Sequence, residues 1–364
     1  MIYHRLFAVL AVVGCAADPQ PLGDLPTYEA WAAEEVLAEE VVGVDHVVQL
    51  STGVLAFVEP WDYHLTLVDP VTHSVQRLGR QGGGAGEFTA FPEPLARLSG
   101  DTLLVIERLP RRFTLYRGSE LIRAGHLPGL PPGLSWLDAK VRGDRNGNLY
   151  VIFSSVARPV LGKAYTLPIL RTRIEPPRFD TVSWLDVPPV YDFPIKGKVD
   201  AGVIGPLELS PTNTADVSRD GNIWLVYPGR QQVLVVSAAG DTTEGPPWGL
   251  TEIPVSQADR DSVFHRWEHH PGYGGAQWEF ADMRAVTTHS IVNPAGEVWL
   301  RLDAARRGET AYLVINEQGV PYRRVLFRGG TEVVGFGDQD VYSIREDEDG
   351  IATLYRAPLD TTGQ

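Results

Sequence analysis

The stretch Thr214–Asp241, TADVSRDGNIWLVYPGRQQVLVVSAAGD, decides the fold. It reads as three short strands joined by two tight turns. The first strand, Ala215–Ser218, runs into Arg219-Asp220-Gly221-Asn222, where Gly and Asn tolerate the positive φ of a tight reversal. The second, Ile223–Tyr227, is apolar at every position rather than at alternate ones. An unbroken run of that length suits a strand covered on both faces. After Pro228-Gly229-Arg230, Val233–Val236 completes the meander and Ala239-Gly240-Asp241 ends it. A meander whose middle strand is covered twice needs a neighbouring sheet on each side, and stacked blades provide one.

Outward from this stretch the same pattern recurs: glycine turn, apolar strand, turn, second strand. The apolar strand appears six times, at Val54–Val58, Leu103–Ile106, Leu149–Phe153, Ile223–Tyr227, Val298–Leu300 and Val341–Ile344. The glycines before them are Gly53, Gly100, Gly147, Gly221, Gly296 and Gly337, separated by 47, 47, 74, 75 and 41 residues. A four-stranded propeller blade takes about 40–50 residues, so the two long intervals hold insertions rather than extra blades. Trp224, Trp299, Tyr150 and Tyr342 share one position of the apolar strand and are expected between blades as core. Upstream, Glu35–Val42 is strand-like but has no hairpin partner beside it, and is expected to close the ring by pairing with the blade at the other end. The expected fold is an all-β, six-bladed β-propeller over 35–364, with a long hairpin and loop insertion near 158–206 and a short helical one near 254–283.

Between the first two copies lies Leu78-Gly79-Arg80-Gln81-Gly82-Gly83-Gly84-Ala85-Gly86-Glu87-Phe88. It lacks the Gly-Lys-Ser/Thr ending of a phosphate-binding P-loop and the strand–GxGxxG–helix context of a dinucleotide site. It reads as the link from one blade's outer strand to the next blade's inner strand. This motif, followed by Pro92, Pro94 and an inner strand, resembles NHL-repeat propellers, and most closely a group of bacterial six-bladed propeller lipoproteins. The resemblance extends over Val36–Leu359 and is sharpest at Leu78–Phe88 and Thr214–Asp241. It implies an architecture but no shared activity.

The chain opens MIYHRLFAVLAVVGCAADPQ, with Arg5 as a positive n-region and an apolar stretch over Leu6–Gly14 too short to span a bilayer. Val12-Val13-Gly14-Cys15 resembles the lipobox of bacterial lipoproteins, which implies a signal peptide over 1–14, lipidation of Cys15 and a tether over 15–34. Ala16 after the cysteine, where Asp would resemble an inner-membrane retention signal, favours the outer membrane in a Gram-negative source. The expected partner through this end is a membrane. Cys15 is the chain's one cysteine, so no intramolecular disulfide and no Cys-based zinc site can form. An apolar share of 43% supports a packed core, while 37 Gly and 28 Pro suit short strands and many turns. A net charge of −14 speaks against nucleic acid as a partner, because that binding needs a surplus of Lys and Arg.

No coherent catalytic set emerges. In the second insertion Ser256 is an expected N-cap and Pro271-Gly272 a stop, with Val263, Phe264 and Trp267 on one helical face. His265 and His269 stand four apart with His270 next, but Arg266-Trp267-Glu268 between them is not the metalloprotease pattern and no third ligand follows by spacing. His265, Arg266, Trp267, His269 and His270 therefore form a candidate ligand or partner face; no metal and no cofactor is assigned. Asp144–Asn148 departs from the EF-hand pattern and reads as a hairpin turn. Glu244-Gly245-Pro246-Pro247-Trp248 resembles the segment carrying a metal-binding glutamate in lactonase-type propellers, yet it leads into the helical insertion and the other ligands have no counterpart. The expected function is an extracytoplasmic binding or scaffolding module. The alternative is a metal-dependent hydrolase or lactonase whose site lies at the central channel, built from residues of separate blades.

Overall fold

The computed structural model describes residues 25–359 apart from 31–33, 38–40, 156–158, 175, 196–201, 269–275, 303–308, 329 and 348–350. Three short strands come first: β1 (Thr27–Glu29), β2 (Glu34–Glu35) and β3 (Val41–Val42). The first meander is β4 (Val47–Gln49), β5 (Leu55–Glu59), β6 (His64–Val68) and β7 (Val75–Leu78). The second is β8 (Pro92–Arg97), β9 (Thr102–Glu107), β10 (Arg112–Arg117) and β11 (Glu120–His126). The third is β12 (Ala139–Gly143), β13 (Leu149–Phe153), β14 (Tyr165–Thr172) and β15 (Asp180–Val187). A separate hairpin, β16 (Tyr191–Pro194) and β17 (Gly202–Gly205), precedes the fourth meander: β18 (Thr214–Val217), β19 (Ile223–Tyr227), β20 (Gln232–Val236) and β21 (Thr242–Glu244). Next come β22 (Ile253–Pro254), the helix α1 (Gln257–Glu268) and β23 (Met283–Arg284). The fifth meander is β24 (Thr287–Val292), β25 (Val298–Leu302), β26 (Glu309–Ile315) and β27 (Pro321–Arg328); the last is β28 (Glu332–Phe336), β29 (Asp340–Glu346) and β30 (Ile351–Pro358).

Every apolar run singled out in the sequence is the second strand of its meander, and β5, β13 and β19 are buried along their whole length. On β19, Trp224 and Val226 pack toward the fifth meander, whereas Ile223, Leu225 and Tyr227 pack toward the third. Alternate side chains thus meet different neighbours, which is why the run is unbroken. The whole core is divided in this way. One cluster joins the first and second meanders through Val58, Leu67, Leu95 and Val105, and another joins the last to the first through Tyr342, Ile344, Leu55 and Phe57.

The N-terminal strands complete the last sheet, as their sequence suggests, but in two pieces. β2 and β3 each pair antiparallel with β30. A further closure was not legible in sequence: β28 runs parallel to β4, with Gly335 opposite Val47. A Cβ on Gly335 would stand 2.1 Å from the Val47 carbonyl oxygen, so this approach requires glycine. β1 also adds to the fifth sheet, parallel to β27. Of the six turn glycines, Gly53, Gly100, Gly147, Gly221 and Gly296 have positive φ; Gly337 does not. Its place is set instead by Gln49, whose Oε1 would lie 2.3 Å from an added Cβ.

The glycine-rich loop is the expected link between β7 and β8. Phe88 anchors it in the core with no exposed surface, and the Gly79 position would put a Cβ 2.4 Å from that ring. Glu87 ties the loop across itself, accepting from Gly84 N at 2.8 Å and from Arg80 Nε at 2.8 Å. The first insertion supplies the long β14–β15 hairpin, while its proline-rich part forms the hairpin β16–β17.

Candidate functional site

The first strand of each meander lies innermost, and the residue seven before the turn glycine recurs as a channel-lining position. His46, Glu93, Lys140, Thr214 and His289 all occupy it, one on each of five successive meanders. They border a cavity of about 500 Å³ at the end where these strands begin. Its walls are apolar, with Val58, Leu95, Ile152, Phe153, Leu185 and Val187 facing inward. A strand has period two, so residues five before the glycine share the inward face one step deeper. Two of these are Arg142 and Asp216, which close the floor.

Asp216 is fully buried and binds both neighbours across the strand gap. Arg142 Nε donates to its Oδ1 at 2.8 Å, and Lys140 Nζ stands 3.0 Å from its Oδ2. Burial opposes its ionisation, but Arg142 and Lys140 outweigh burial and hold the carboxyl well below the usual range. Two cations share one carboxylate, so the floor carries a formal charge of plus one. Lys140 is pushed down to about 8, first by burial and then by Arg142, with Asp216 opposing. Lys140 also donates to the Ala215 carbonyl at 3.3 Å, which leaves one of its three N–H groups for the cavity. Its side chain is 31% exposed and lines this cavity.

Two imidazoles flank the floor. Burial, reinforced by Lys140, lowers His289 to about 4; burial and Arg142 lower His46 well below its ordinary value. Both are neutral at pH 7, each with one donor and one acceptor nitrogen. At the equivalent position on β8 Glu93 is raised by burial and by Asp45, and Arg108 lies 3.9 Å from Glu93. Beyond the floor a smaller cavity of about 90 Å³ opens toward the opposite end, lined by Arg97, Arg219 and Asp338. His46 and Arg142 border both spaces and so form the constriction between them.

Both insertions connect an outer strand to the next inner strand, which brings them to the mouth side of the large cavity. They meet there. Phe193 of β16 packs on Trp278 with ring centroids 5.3 Å apart, and Trp267 of α1 packs on Trp278 at 6.0 Å. Gln277 N donates to the Pro194 carbonyl at 3.0 Å, and Glu208 N to the Glu279 carbonyl at 2.9 Å. An annex of about 320 Å³ under β17 shares Ser154, Val187 and Thr212 with the main cavity.

α1 begins as its sequence indicates. Ser256 N donates to Asp259 Oδ2 at 2.8 Å and Asp259 N to Ser256 Oγ at 3.2 Å, a reciprocal cap. Val263 is buried, whereas Phe264 is 46% exposed, so the apolar face is narrower than expected. His265 and Arg266 are exposed on α1 and Trp267 is half-buried against Trp278. His269, His270 and Cys15 lie outside the described residues. Asp144 is the hairpin turn expected: its Oδ1 accepts from Asn146 N and Asn148 N at 2.9 and 2.8 Å. Glu244 sits exposed on the outer strand β21, away from the channel, as the coincidental reading of its motif requires. Among the described residues no group of three or more His, Cys, Asp or Glu is close enough to hold a metal ion. The channel residues themselves were missed by motif search, because each comes from a different meander. Their common offset from the turn glycine was the available signal.

No protein-family model matches the chain, and no curated protein matches it by sequence. Solved structures do match in fold. A DUF4221-family protein of Bacteroides vulgatus has a TM-score of 0.51 at 11% identity, covering 89% of this chain and 97% of its own. A Bacteroides fragilis protein described as exported reaches 0.52 at 10% identity, covering 91% and 99%. A virginiamycin B lyase of Staphylococcus aureus is more distant, with a TM-score of 0.40 at 11% identity over 91% and 88%. At these identities the likeness establishes an all-β, propeller-like fold alone. No helix among the described residues is long and apolar enough to cross a membrane.

Proposed function

We propose that the chain is a six-bladed, NHL-like propeller serving as a binding or scaffolding module outside the cytoplasm, tethered to a membrane through lipidated Cys15. Each meander is read as one blade. The β28–β4 pairing and the cluster joining the last meander to the first support a closed ring. The observation that carries the binding reading is the channel cavity. About 500 Å³ of largely apolar space with a few convergent polar groups is the character of a small-molecule site. The joined insertions, with His265, Arg266 and Trp267 on α1, give the same side a surface for a protein partner. Nucleic acid is not among the proposed partners, given the net charge of −14.

The rival reading, a metal-dependent hydrolase or lactonase at the channel, meets an electrostatic objection. A divalent cation on the axis would stand beside Lys140 and Arg142, with Asp216 already shared between them. The test is a thermal-shift screen of small molecules with and without divalent metals, run beside a panel of lactones and esters. The expected result is a ligand that raises Tm in the wild type and not in Thr288→Trp, which fills an exposed lining position. Chelator-sensitive turnover of any ester or lactone would replace this reading with the hydrolase.

A further inference from the structure

The charged groups of the cavity are unevenly distributed over its lining, and the distribution restricts what fits. Much of the cavity wall is hydrocarbon from the first three meanders, so a ligand with an apolar body gains by entering. Its floor holds two cations against one carboxylate. Arg142 places its Nε on Asp216 and an Nη1 N–H on the Val141 carbonyl at 3.0 Å, which uses two of its five N–H groups. Lys140 lines the cavity with one N–H beyond its bonds to Ala215 and Asp216, and a charge-assisted bond to it is stronger than a neutral one. His289 flanks it as a neutral imidazole with an N–H to offer, while His46 spends its one N–H on the Val334 backbone. The surplus positive charge at the floor therefore lacks a partner that a bound anion supplies.

A second part of the lining narrows the choice further. Asp45 and Glu93 stand with Arg108, apart from Lys140, and carry a formal surplus of one negative charge. A ligand with several negative charges, such as a nucleotide or a tricarboxylate, would set one charge at the floor and others against these acids. One negative charge at one end of an apolar body satisfies both regions.

We propose that the channel cavity binds an amphipathic monocarboxylate, acid end inward, with its carboxylate on Lys140 between His46 and His289 and its apolar body along Leu95, Ile152, Phe153 and Leu185. This inference rests on the reading of the cavity as a small-molecule site and names the ligand class of that site. Lys140 holds the ligand by ion pair and hydrogen bond, with no covalent step.

Calorimetric titration of the whole protein with octanoate tests the assignment, with octanol as the probe of equal chain length lacking the charge. Octanoate is expected to bind one-to-one, at least tenfold more tightly than octanol. Lys140→Met is expected to lose at least tenfold for octanoate and little for octanol, and Lys140→Arg to restore part of the loss. The groups facing Lys140 are Asp216, Arg142, His46 and His289, and only Lys140 among them titrates just above neutrality. Octanoate affinity in the wild type should thus fall as pH rises past about 8, approaching tenfold per pH unit. This pH profile decides the matter even where Lys140→Met fails to fold. Equal binding of octanol and octanoate, or a flat profile, overturns the carboxylate and leaves the cavity a binding site. No binding of either probe, with the small-molecule screen yielding ligands of other chemistry, overturns it in the same way. A screen that yields none removes both readings.

Discussion

His289 shows how one side chain reports the electrostatics of the channel. It faces Lys140, Asp216, Arg142 and Arg301, and burial with Lys140 keeps its folded-state value at about 4. In the unfolded chain it titrates near ~6.5. The folded form binds the proton less readily, so His289 contributes stability that is complete above about pH 6.5 and lost as pH falls toward about 4. His46 acts in the same direction. Asp216, held low by Arg142 and Lys140, contributes stability present above its unfolded value of ~3.9 and lost only at still lower pH. The unfolding midpoint of the wild type is therefore expected to drop between about pH 7 and about pH 4.5, before most carboxylates titrate. His289→Gln should show a shallower drop when the melting temperature is followed across that range. An identical slope would mean that the imidazole is as readily protonated folded as unfolded. The channel residues were legible only in part. Lys140 and His289 look like ordinary polar residues in short strands, and their shared offset from Gly147 and Gly296 has meaning only once the meanders stand around one axis.

At the scale of elements, the strands that sequence identified best are those covered on both sides. β19 has no polar residue to interrupt it, and its neighbours were identified from the turns at Gly221 and Pro228-Gly229. The two-residue β2 and β3 and the three-residue β1 carry too little pattern to place, because their partners lie some 300 residues away on β30 and β27. They matter beyond their length. β30 would otherwise present an unpaired strand edge, which invites pairing with another chain. A chain starting at Val44 is expected to melt at lower temperature than the full chain and to form concentration-dependent oligomers in size-exclusion chromatography. A monodisperse product with an unchanged midpoint would show that the closure is dispensable.

For the whole molecule, apolar clusters join neighbouring meanders, and the segments around β16–β17 and α1 are added to that frame. The two insertions are distant in sequence yet share a tryptophan-centred contact, Phe193 and Trp267 on Trp278. Such a contact joins the segment before the fourth meander to the segment before the fifth. The proposed anchor places this body at a membrane surface, and two or more acyl chains suffice for stable attachment, at about 0.8 kcal/mol per buried CH₂. Metabolic labelling with a fatty-acid analogue is expected to mark the wild type and not Cys15→Ser. Equal labelling of both would remove the anchor while leaving the propeller-like body as described.

Sequence by itself determined the repeating meander, the doubly covered strands and most of the positive-φ turns. These depend on local periodicity and on glycine and proline, which act over a few residues. Only the tertiary structure decided that Lys140, Arg142, Asp216, His46 and His289 share one floor, that Gly335 lets β28 reach β4, and that the insertions meet. Each of those depends on the packing of separate meanders, which sets residues far apart in the chain side by side, and no local pattern records which side chains will meet.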